Sequence, residues 1–123
     1  MILISRHLIA SGGKLLMVRR YQQIPSNDSA SPFTRRMDVL EAHSIKGTWV
    51  PLPIGSGLGG GQAIFISMSF SKSVSAPCGD VKEDVIYDID TGEVFDMKSQ
   101  TSQGCFCKPS QGITWLFPPE LVL

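Results

Sequence analysis

Asp84-Val85-Ile86-Tyr87-Asp88-Ile89-Asp90-Thr91-Gly92-Glu93-Val94-Phe95-Asp96-Met97 is the stretch that decides the fold class. Val85, Tyr87 and Ile89 stand two residues apart, which is the side-chain period of a strand. Asp90-Thr91-Gly92 then supplies residue types that tolerate turn backbone angles, and Val94 and Phe95 begin a returning apolar run. Asp84 to Ile89 and Glu93 to Met97 therefore read as the two arms of a β-hairpin.

The same grammar extends outward from this hairpin. Ala63 to Phe70 alternates in part, with Ile64, Ile66, Met68 and Phe70 on one face and Phe65 on the other, and reads as a strand. Before it lies the glycine-rich stretch Ile54 to Gln62. Further upstream, Phe33 to Glu41 and Gly47 to Leu52, the latter centred on Trp49, flank a turn at Ile45-Lys46-Gly47. Pro51 and Pro53 end that second strand, because proline brings no donor to a ladder. Arg6 to Ala10 and Lys14 to Tyr21 form another hairpin around Ser11-Gly12-Gly13-Lys14, and the polar stretch Pro25 to Pro32 is a surface loop. Downstream, Ser99 to Gly112 is polar and irregular. Ile113 to Phe117 is a last strand stopped by Pro118-Pro119, and Glu120 to Leu123 has room for one helical turn at most.

Eight or nine short strands result, and no ten-residue window places apolar residues at helical spacing. The fold class is all-β, built of short antiparallel strands and hairpins, with Trp49, Tyr87 and Trp115 expected in the core. The 123 residues are enough for one domain with a single core. Hairpins recur at a spacing resembling propeller blades of roughly 40–45 residues each, so residues 1–123 amount to about three blades, a partial β-propeller. A sandwich or barrel accommodates the same strands, and the pattern alone does not choose.

Composition narrows the function classes. Eleven basic and eleven acidic residues leave no net charge, hence no field to attract nucleic acid or an anionic membrane surface. No apolar run approaches the length of a membrane span. The start, Met1 to Arg6, has four apolar residues before an arginine, which is too short for a signal peptide. Three cysteines, Cys78, Cys105 and Cys107, make an odd set that argues for a reducing compartment. An intracellular, non-secreted protein is the expectation, and the sequon Asn27-Asp28-Ser29 is then idle.

Several motifs invite chemistry. Gly55-Ser56-Gly57-Leu58-Gly59-Gly60 fits a dinucleotide fingerprint, but that mechanism needs a helix N-terminus to face the phosphates, and a strand follows here. A kinase-type glycine loop needs a lysine and two aspartates in settings that are lacking. Asp90-Thr91-Gly92 matches the motif of dimeric aspartyl proteases, whose paired aspartates share a proton. That family places a small residue after the glycine, where this chain has Glu93. A plain turn is the preferred reading. Cys105 and Cys107 are one residue apart, closer than the usual zinc spacing, with only His7, His43 and Cys78 to help. Arg19-Arg20 and Arg35-Arg36 are the basic pairs; neighbours on a strand point to opposite faces, so they read as solvated surface. No catalytic, cofactor-binding or metal residue is assigned, and no cofactor is expected.

Taken together and in order, several segments resemble one family. They are His7 to Arg20, Met37 to Leu52, Leu58 to Ser67, Phe70 to Ala76, Asp84 to Tyr87 and Thr114 to Leu121. Each is weak alone, and the set spans nearly the whole chain. The family is the plant domain of unknown function 295, the KIB-type β-propeller, which often follows an F-box. The resemblance implies the C-terminal part of a propeller that presents targets to a ubiquitin ligase through protein contact, without catalysis. Because no F-box stands in this sequence, no direct contact with a Skp1-type adaptor is expected. A propeller short of blades has open sheet edges, which invite self-association. The rival readings are a dimeric aspartyl hydrolase using Asp90, and a gene remnant that does not fold alone.

Overall fold

The computed structural model describes residues 1–26, 32–53 and 55–105, with the side chain of Cys105 outside that description. Among these residues there are nine strands and no helix: β1 (Ile2–Ser11), β2 (Lys14–Gln23), β3 (Phe33–His43), β4 (Thr48–Pro51), β5 (Gln62–Ile66), β6 (Ser71–Ser75), β7 (Val85–Asp88), β8 (Glu93–Asp96) and β9 (Thr101–Cys105). They make two sheets. One is the antiparallel meander β1-β2-β3-β4, the four-stranded unit of a propeller blade. The other has the order β6-β5-β7-β8-β9.

Alternation sets which residues meet between the sheets. Ile9, Leu16, Val18, Met37 and Val39 of the first sheet pack on Ile64, Ile66, Ile86 and Phe95 of the second and on Leu58 and Met97 beside it. Burying each such side chain stabilises by about 1.5–3 kcal/mol. The far face of the second sheet carries a smaller cluster of Ala63, Phe65, Val81, Val85 and Tyr87. Within it the rings of Phe65 and Tyr87 stack with centroids 5.0 Å apart. Tyr87 is thus in the core, as its alternation implies.

The β7–β8 hairpin forms where the sequence places it. Gly92 sits at φ 82°, and its N–H donates 2.8 Å to the Asp88 carbonyl to close the turn. The N-terminal hairpin also forms, with both arms longer than the apolar runs alone suggest.

Other expectations change. The strand expected over Ala63 to Phe70 stops at Ile66. The Ser67 hydroxyl accepts from the N–H groups of Ser69 (3.2 Å) and Phe70 (3.0 Å), and this local bonding turns the chain. Met68 is left 97% exposed instead of core-facing. Ser71–Ser75 then returns as β6, a strand too polar to show in the sequence. Thr101–Cys105 is likewise a strand inside the stretch read as irregular. One pairing is parallel rather than antiparallel, β5 with β7. Because β6 takes one side of β5 and residues 76–84 lead back to the start of β5, the next strand enters alongside it in the same direction. The Asp84 N–H donates to the Gln62 carbonyl at 2.8 Å at that re-entry.

Trp49 is not in the core. It lies on β4, all four of whose residues are exposed, and is itself 38% exposed. Trp115, the strand Ile113 to Phe117, the turn Glu120 to Leu123 and the sequon Asn27-Asp28-Ser29 lie outside the described residues.

Candidate functional site

The glycine-rich stretch is a structural loop leading into β5. Gly57 has φ +73°, and a Cβ there would sit 2.4 Å from the Asp84 carboxyl carbon. That close approach lets the Leu58 N–H donate 2.7 Å to Asp84 Oδ1. The Leu58 donor of this loop is therefore already taken by a carboxylate, whose negative charge would repel a phosphate. Asp90 of the Asp-Thr-Gly motif is exposed, and its Oδ2 accepts 2.8 Å from the Met68 N–H, capping the Ser67–Phe70 turn. Cys78 is exposed in the turn that brings Cys78 against Val81. Among the described residues no three His, Cys, Asp or Glu side chains converge as metal ligands would; Cys107 lies outside them.

Arg35 and Arg36 are exposed, as solvated surface would be, but Arg20 of the first pair is not. Arg20 points between the sheets, with its side chain 8% exposed. Its Nη1 donates to Asp88 Oδ2, its Nη2 donates 2.7 Å to Glu93 Oε1, and its Nε donates 3.0 Å to Thr34 Oγ1. Thr34 in turn donates 2.6 Å to the same Glu93 oxygen. Residues from β2, β3, β7 and β8 are tied together in one polar knot. An arginine this buried persists only when its donors are met, and here all three of its nitrogens find an acceptor. His7 on β1 faces this knot. Burial and, secondarily, the Arg20 charge hold its pKa below the ordinary histidine range, partly offset by Asp88 and Asp90.

The other arginines gather on the outside. Arg19 on β2 donates 3.3 Å to Asp38 Oδ2 on β3, and Arg36 donates 3.2 Å to the same oxygen. Arg36 also lies 4.3 Å above the Tyr21 ring. Arg35 is the extra residue of a bulge, because Tyr21 pairs with Arg36 while Gln22 pairs with Thr34. Strand pairing brings residues of the two pairs into one patch. Arg19 stands opposite Asp38, and Arg36 is two residues along β3.

These arginines rim a groove of about 420 Å³ beside β3. Its existence follows from unequal strands. β3 has 11 residues and β4 only 4, so β4 covers Leu40 to His43 and leaves the first part of β3 at an open edge. The floor is Met37, Val39, Leu52 and Met97, and Gln100 closes the side. Among the described residues two buried side-chain polar atoms lack a hydrogen-bond partner, Arg19 Nε and Gln100 Oε1, and both residues line this groove. An unmet buried polar group costs about 1–3 kcal/mol. The sequence held a signal for the groove in the early proline stop of β4, and one for the knot in Asp88, a charge at a core-facing position between Ile86 and the turn.

The model of the KIB1-4 beta-propeller family matches residues 2–110 of the chain. No curated protein and no solved structure matches it.

Proposed function

Because the chain belongs to the KIB1-4 beta-propeller family, a family of the protein-interaction kind, we propose that it works by binding another protein inside the cell, as a target-recognition module of the ubiquitin pathway, without chemistry of its own. The observation that supports this reading is the match over residues 2–110, joined to what the polar groups do. Asp84, Asp88 and Asp90, the carboxylates nearest the suggestive motifs, hold the chain's own backbone and Arg20. A β-propeller presents loops and strand edges on a rigid frame, and here those surfaces carry the unmet groups.

The test is co-purification of the tagged chain from its own cells, with stoichiometry by light scattering and the ubiquitination state of any stoichiometric partner followed after the chain is depleted. A partner of fixed ratio whose ubiquitination changes is the expected result. Absence of any stoichiometric protein partner overturns the reading.

A further inference from the structure

We infer that the open edge of β3 is a strand-addition site for an extended acidic segment of a partner protein. The inference rests on the protein-interaction reading above and says where and how the contact is made.

Backbone direction comes first. The Leu52 N–H donates 2.9 Å to the Val39 carbonyl, so the backbone groups of Val39 point away from β2. Groups of alternate residues on a strand point the same way. The N–H and C=O of Met37 therefore face the open side too. Beyond Leu52, β4 offers them nothing, and no described backbone group pairs with Met37 on that side. A strand laid along Phe33 to Met37, ahead of the Leu52 contact, would meet the Met37 groups in the geometry of a sheet ladder. About five residues of edge span roughly 17 Å.

Charge selects the occupant. Arg19, Arg35 and Arg36 line the groove against one carboxylate, Asp38, which Arg19 and Arg36 already share. Two positive charges remain uncompensated in a concave site, which favours an acidic partner and repels a basic one. The chain's own residues 106–123 carry one lysine and one glutamate, so they bring no acidic complement. Side chains of an added strand alternate between faces. Those on the Arg19 and Arg36 side meet guanidinium groups, and those on the other meet Leu52 and Met97. The matching peptide alternates acidic and apolar residues. Gln100 Oε1 and Arg19 Nε, both unmet, are an acceptor and a donor at its border.

The experiment is fluorescence anisotropy of a labelled octapeptide of alternating Glu and Val with the full chain. Parallel titrations use a Lys-Val octapeptide and a Glu-Val octapeptide N-methylated at alternate amides. The expected result is binding of Glu-Val, weakened at least about tenfold by N-methylation in one of its two registers and by Lys for Glu. Arg35→Glu together with Arg36→Glu should reverse the preference toward Lys-Val; both side chains are exposed, and Arg35→Glu alone serves if the pair disturbs Tyr21. Failure of Glu-Val to bind, indifference to N-methylation, or unchanged preference in the variants overturns the inference. So does tighter binding of a peptide of residues 106–123. A co-purified partner that still binds the reversed variant would place the contact elsewhere while leaving the protein-interaction reading intact. Absence of any partner would sink that reading instead.

Discussion

Arg20 and Asp88 form an ion pair across the two sheets, with side chains only 8% and 5% exposed. They are 68 residues apart, and each sits on a strand whose neighbours in the core are apolar. The pair is as much a register mark as a bond. A slip of one residue in either strand would carry its charge to the other face and break the pair, leaving a buried charge short of a counterion.

Asp88→Ala should therefore destabilise the chain by about 3–5 kcal/mol, since it strands a buried guanidinium. Glu93 still accepts from Nη2, which sets the lower end of that range. Replacing both partners with apolar residues, Arg20→Met with Asp88→Leu, should recover most of the loss. Urea denaturation of the two variants beside the wild type measures this. A double variant as unstable as the single one would show that Glu93 and Thr34, not Asp88, set the cost.

His7 gives the knot a pH dependence. Its folded pKa lies below the ordinary value, with burial the larger cause and Arg20 the next. In the window between the folded and unfolded values the unfolded chain binds more protons, so stability rises with pH there. The contribution is fully present above about 6.5 and is lost as pH falls toward the folded pKa. His7→Gln should flatten the stability profile below that pH. An NMR titration in which the His7 ring has an ordinary pKa would remove the basis for it.

Gly57 is held by space as well as by backbone angle. Gly57→Ala puts a methyl 2.4 Å from the Asp84 carboxyl carbon and displaces the acceptor of Leu58. The left-handed angle costs roughly 1–2 kcal/mol for a residue with a Cβ, and the lost hydrogen bond about 1–3 more. Gly59→Ala has a similar φ but meets nothing within 4 Å. It should lose only the first amount. Equal thermal shifts for the two variants would count against the Asp84 contact.

How far the sequence could be read depended on what each residue advertises. The hairpin around Asp90-Thr91-Gly92 was legible because alternation and turn chemistry agree there. β6, Ser71–Ser75, was hidden because a strand with four polar residues in five shows no apolar period, although its ladder to β5 is complete. The burial of Arg20 is decided by partners 14 to 73 residues away, which periodicity does not see. The groove needed knowledge that Arg19 and Asp38 pair, a fact of register and not of local sequence. Trp49 was assigned to the core by its size and left it by its place on an edge strand.

That last contrast can be measured. Phe95, 1% exposed between the sheets, should cost about 3–5 kcal/mol when cut to alanine. Trp49→Ala, on the exposed strand, should cost under about 1 kcal/mol. A large loss at Trp49 in thermal unfolding would mean that a further part of the chain packs on β4.

The first sheet has a second open edge, and it is apolar. β1 runs ten residues without a proline, and Ile2, Leu3 and Ile4 are 43%, 51% and 41% exposed. Leu3 pairs with Gln22 and Ile4 with Tyr21, and among the described residues no strand pairs with the other side of β1. Long, apolar, unpaired edges attract a second chain. Light scattering should show concentration-dependent self-association at neutral pH, and Ile4→Lys should suppress it without changing the circular dichroism spectrum. Lysine at this position keeps the inner face untouched and places a charge where a paired strand would bury it. A wild-type chain that stays monomeric at high concentration would mean β1 is covered in solution. In that case Ile4→Lys would lower stability instead of changing the oligomeric state, and unfolding measurements would separate the two.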